Sequence, residues 1–120
     1  MFGFRNLVVY QIAKDYVRGI YAISSQFPEH EKFGLASQLQ RAAISIPSNI
    51  AEGMGRFSTK NQVNFISIAF GSLNETICQL EIAADLGYIS IQDFEKLENL
   101  AVELAKLLSG VRRALMKGER

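Results

Sequence analysis

Apolar residues recur every three or four positions along the chain, and no segment alternates with period two for long enough to make a strand. Phe4, Val8, Ile12, Tyr16, Ile20, Ile23 and Phe27 trace the first stripe, with Gln11, Lys14 and Arg18 on its narrow polar side. Pro28 ends it, because a residue ahead of proline is pushed out of the helical region. A second stripe runs through Leu35, Leu39, Ala43, Ile46, Ile50 and Met54 into "EGMGR", where Gly53 or Gly55 suits a left-handed cap. "STKNQ" restarts the chain: Thr59 with Gln62 has capping-box spacing, and Ser58 competes as N-cap. The third helix is expected from roughly Lys60 to Leu86, with Val63, Ile66, Phe70, Leu73, Ile77, Leu80 and Ala84 on one face. After "GYIS", Ser90 with Asp93 caps a fourth, whose seam is Leu97, Leu100, Leu104, Leu107, Val111 and Leu115. Four amphipathic helices with short turns predict an all-α, antiparallel up-down-up-down four-helix bundle, one domain spanning residues 1–120.

The third helix also carries Phe65, Ile68, Ala69, Ile82 and Ala83, so it is apolar around most of its circumference. One small bundle cannot cover such a helix on every side, and the surplus points to a homo-oligomer. Gly71 lies mid-helix at a cost of about 1 kcal/mol relative to alanine. It suits close approach of another backbone, or packing against a bulky neighbour inside the protomer.

The second helix accepts Pro47 in mid-span and carries a polar file of Gln38, Arg41, Ser45, Ser48, Asn49 and Glu52. If helices two and three form a hairpin turning near Phe57 and Ser58, level residues have numbers summing to about 116. Arg41 then faces Glu75, Ser45 faces Gly71, Asn49 faces Ser67 and Glu52 faces Asn64. These positions predict a polar seam closed by an Arg41–Glu75 ion pair. Pro47 kinks the helix and leaves the Ala43 carbonyl without its amide partner, for a hydroxyl, amide or water of the seam to satisfy. The rival reading is a groove gripping a phosphate or peptide, poorly served by one cation among two carboxylates.

Composition narrows the chemistry. Nearly half of the 120 residues are apolar and the net charge is +1, which suits a soluble globular protein without strong general attraction to nucleic acid. No targeting segment is visible, the longest charge-free run, Asn61 to Asn74, is too short for a membrane span, and a lone cysteine, Cys78, suits a reducing cytoplasm. Cys78, amid apolar neighbours, reads as a small buried thiol. The lone His30 lies in a polar turn, no GxSxG elbow surrounds a serine, and no Glu-x-x-His pair is present. "GMGRFS" lacks the phosphate-loop pattern. No catalytic residue, metal, cofactor or small-molecule substrate is therefore expected. Lys106, Arg112, Arg113 and Lys117 cluster near the C-terminus, either stabilising a helix end through its macrodipole or contacting phosphates.

The run "FPEHEKFGLASQLQRAAISIPSNIAEGMGR", followed by "AFGSLNE" and "LGYI", resembles the bacterial four-helix-bundle proteins first noticed as products of intervening sequences in large-subunit ribosomal RNA genes. The resemblance extends from about Leu7 to Leu108, its most specific part is "SIPSNIAEG", and a more distant relative is the accessory protein of diversity-generating retroelements. It implies a ring-like homopentamer with no known catalytic residue and a suspected association with RNA or DNA. The matching positions are Gln38, Arg41, Ser45, Asn49, Glu52, Gly53, Gly71, Ser72 and Glu75. Near-neutral charge departs from the strongly basic retroelement relatives. Two roles follow: an RNA-associated accessory factor, or a protein–protein scaffold with no nucleic-acid role.

Overall fold

The computed structural model describes residues 1–118. Four helices form an all-α bundle: α1 (Val8–Ser24), α2 (Leu35–Met54), α3 (Thr59–Asp85) and α4 (Ile91–Gly118). Each packs against the next and α4 returns to α1, giving the up-down-up-down arrangement in a rod of 50 × 24 × 21 Å. The core follows the expected stripes most closely on α2, α3 and α4; on α1 the stripe is corrected at its start, where Val8 is exposed and Val9 and Ala13 turn inward instead. Ala13, Tyr16 and Ile20 from α1, Leu39, Ala43, Ile46 and Ile50 from α2, Leu80 from α3 and Leu104 and Leu108 from α4 are completely buried.

Helix ends follow local chemistry. Ser58 Oγ accepts the Asn61 N–H at 3.1 Å, so Ser58 and not Thr59 caps α3; Ser90 Oγ accepts the Asp93 N–H at 3.1 Å before α4. The first helix starts later than the apolar stripe, because Phe4 belongs to a separate 3-10 turn, Gly3–Asn6, and its ring packs edge-on against Tyr10. Phe27 lies beyond α1 yet is buried, against Tyr88.

Neither Gly53 nor Gly55 takes the left-handed conformation; among the described residues only Gly87, after α3, has positive φ, at 77°. Gly53 is needed for a different reason. A Cβ there would lie 2.9 Å from Phe65 Cβ and 3.3 Å from the Gln62 carbonyl, so the bare backbone is what lets α2 close onto α3.

A polar clasp joins the two connections at one end. Glu31 accepts the Leu35 N–H at the start of α2 at 3.1 Å and the Tyr88 hydroxyl at 2.9 Å. Both bonds favour the ionised carboxylate and hold Glu31 below its ordinary range, while the Tyr88 phenol is pushed up by the same carboxylate. His30, mostly exposed, approaches the Tyr88 hydroxyl at 3.4 Å.

Candidate functional site

The polar file on α2 divides into two parts. Ser45 and Ser72 meet across the α2–α3 contact with their hydroxyls 2.8 Å apart. The Asn49 amide donates to the Ser45 carbonyl at 2.7 Å and to its hydroxyl at 2.9 Å. These three half-buried side chains are the closed part of the seam.

The remainder faces solvent. Gln38, Arg41, Ser48, Glu52, Asn64, Ser67, Gly71 and Glu75 are all exposed. Among the described residues no ion pair joins Arg41 to Glu75, and Glu52 pairs with Arg56 at 3.3 Å instead. The expected cross-helix pair is corrected on this point. Ser67 and Gly71 do not meet Asn49 and Ser45. They line a cleft of about 420 Å³ between α3 and α4, with Ile66, Phe70, Asn74, Leu108, Ser109 and Arg112. The residue meeting Ser45 is Ser72, one position further along and about 100° around the helix.

Pro47 lies inside a helical span that continues unbroken to Met54, and it lines a groove shared with α1. The Asn49 donor goes to Ser45, not to the Ala43 carbonyl that Pro47 deprives of an amide. Gly71 would meet no atom within 4 Å if it carried a Cβ, so nothing inside the protomer requires a glycine there. Cys78, expected to be buried, is exposed.

Glu75 has an arrangement that the spacing did not reveal. Gln79, one turn on, is only 7 % exposed, and its Nε2 donates to Glu75 Oε2 at 3.2 Å. The Gln79 Oε1 is buried with no hydrogen-bond partner, a cost of about 1–3 kcal/mol. A surface carboxylate is thus held in place by a buried amide. The sequence signal was a glutamine four residues after Glu75 in a run where Ile77 and Leu80 face inward.

Lys106, Arg112, Arg113 and Lys117 are all exposed on the last turns of α4, and among the described residues none of the four is in an ion pair. No cluster of three or more His, Cys, Asp or Glu among the described residues is arranged to hold a metal ion. No described helix is long and apolar enough to cross a membrane.

Comparison with known proteins agrees with this architecture. A crystal structure of a Bacteroides thetaiotaomicron protein of unknown function from the S23 ribosomal protein family matches with a TM-score of 0.80 and 27% sequence identity, covering 88% of this chain and 96% of that one. No curated protein matches the sequence. The family model for the 23S rRNA-intervening sequence protein matches residues 5–110. The chain belongs to the 23S rRNA-intervening sequence protein family.

Proposed function

We propose that the chain is a non-enzymatic, self-assembling helical bundle, a cytoplasmic bacterial homopentamer, that associates with RNA through the basic end of α4. The observation that carries the RNA part is the cluster itself. Residues 106–118 hold four cations and no carboxylate, and all four side chains are exposed. One copy at net charge +1 has little general attraction to a polyanion. Repeating the cluster around a ring sums the fields, so affinity depends on assembly. Self-assembly is supported by Ile68 and Ile82, which remain 50% and 44% exposed on α3.

Two measurements test the reading. Sedimentation velocity of the purified chain reads assembly, and a lone protomer would refute that part. Filter binding to a 23S rRNA fragment across a salt series reads the RNA part. Four phosphate contacts per copy give a slope of log affinity against log salt of about −3 on single-stranded RNA. Arg112→Ala with Arg113→Ala should flatten it. Absence of binding at low salt to both the fragment and a generic duplex refutes the RNA role. It would leave the protein–protein scaffold, which the fully exposed rings of Phe33 and Phe57 favour.

A further inference from the structure

We propose that the outward faces of α2 and α3 are the two halves of one contact between copies. In it, α2 of one protomer lies antiparallel along α3 of the next, and Arg41 of one pairs with Glu75 of the other. The inference rests on the self-assembly reading above and deepens it by naming the surfaces and the register.

The outward stripe of α3 is Ile68, Gly71, Glu75, Cys78 and Ile82, all exposed. Their spacing of three, four, three and four is the heptad seam that a partner helix reads. The stripe has no cation, one anion at its centre, an isoleucine at each end and a glycine whose Cβ position is open space. The corresponding stripe of α2 carries Arg41, Ile44 and Ser48, all exposed, with Phe33 90% exposed just before the helix begins.

Height along the rod decides which residues meet. Within a protomer, α2 and α3 are level where residue numbers sum to about 116, as the Ser45–Ser72 bond confirms to within one residue. Rotation about an axis parallel to the rod leaves heights unchanged, so the same pairs are level between neighbouring copies in a ring. Arg41 then meets Glu75, Ile44 stands opposite Gly71, and Phe33 opposite Ile82. A cation meets an anion, a branched side chain meets a gap, and an exposed ring meets an exposed isoleucine. Neither charge has an ionic partner among the described residues of its own protomer. Glu75 is already oriented by the buried Gln79, which lowers the ordering cost of binding.

Sedimentation velocity and native mass spectrometry of the full chain test the register. If wild type itself is a lone protomer, the self-assembly reading fails before this one is reached. With wild type assembled, Arg41→Glu and Glu75→Arg should each shift the population to protomers while the helical circular dichroism stays unchanged. An equimolar mixture of the two should form assemblies holding both chains, because unlike charges then meet only between copies; an odd ring keeps one like-charged contact, so recovery is partial. R41E/E75R in one chain should recover fully. Gly71→Leu, whose Cβ would meet nothing inside the protomer and whose longer side chain has the open α3–α4 cleft beside it, should fold normally and lose assembly. Wild-type sedimentation for both Arg41→Glu and Gly71→Leu, or a mixture that forms no mixed species, overturns the proposal.

Discussion

The hydrogen bond between Tyr16 and Thr76 offers a sharp test of how polar groups are held in this core. Both side chains are completely buried, and the bond runs from α1 to α3, diagonally across the bundle, at 2.8 Å. The Thr76 hydroxyl proton goes to the Leu73 carbonyl at 2.6 Å, so Tyr16 must donate and Thr76 accept. The two deletions are therefore unequal. Tyr16→Phe removes a donor from an oxygen that keeps another bond and should cost about 1 kcal/mol. Thr76→Val keeps the shape but leaves a phenol proton buried with no acceptor, costing about 2 kcal/mol or more. Removing both replaces the pair by apolar groups of similar shape, and the double variant should lie within about 1 kcal/mol of wild type. A coupling of about 2 kcal/mol then appears in the cycle. For a chain of 120 residues the unfolding entropy is about 0.25 kcal/mol/K, so each kcal/mol moves Tm by about 4 °C. Thermal unfolding followed by circular dichroism at matched protomer concentration resolves these steps. Additive losses in the double variant, or Tyr16→Phe costing more than Thr76→Val, would falsify the donor assignment.

Other outcomes follow from the same structure. Gly53→Ala should destabilise by about 1–3 kcal/mol, since its Cβ lands 2.9 Å from Phe65 Cβ, while Gly71→Ala should stabilise an unassembled protomer by about 1 kcal/mol; urea titration compares them. Arg41→Ala in dilute, unassembled protein should change stability by no more than about 0.5 kcal/mol, because the side chain is exposed and makes no ion pair with Glu75; a loss of about 3 kcal/mol would restore a buried pair. Glu31 is held below its ordinary value, so its contribution is present above about pH 4.5 and lost as pH falls through the folded value; in Glu31→Gln the acid-side fall in Tm should be shallower. Burial pushes Tyr16 up to about 12, so its contribution is full below the unfolded value of about 10 and is lost as pH rises towards 12; Tyr16→Phe should lack that alkaline loss.

How much of this was legible in the sequence depends on which helical coordinate a residue's role requires. Apolar spacing shows broadly which stripe of a helix turns inward: Leu39, Leu73 and Leu104 are buried as expected, whereas at the start of α1 Val9 turns inward and Val8 does not. Hairpin register fixes height, because each residue advances only about 1.5 Å along the axis. Azimuth is far less forgiving, since one residue turns a side chain by about 100°. The seam shows the consequence. Its height was right to one residue, yet Gly71 stands in the α3–α4 cleft and Ser72 makes the bond. Cys78 failed likewise: its sequence neighbours Ile77 and Leu80 face inward, and the thiol between them turns out. Capping at Ser90 was legible because it needs only residues three apart in the chain. The Glu75–Gln79 contact is equally local, but its significance lies in Gln79 being buried, which is a tertiary fact.

That distinction bears on why the polar file on α2 has the residues it has. A seam serving only the protomer needs Ser45, Asn49 and Ser72, whose short side chains bond to one another in the half-buried strip between helices. It has no use for a long cation that reaches past the strip into water, nor for a glycine whose Cβ position is open space. Helix propensity alone would favour alanine over Gly71, and solvation alone would accept lysine in place of Arg41. In the contact proposed between copies, that fork-shaped donor would meet the carboxylate level with it, which Gln79 already orients. The short polar residues close one bundle, and on that proposal the exposed ones at the same heights would offer the next copy its register.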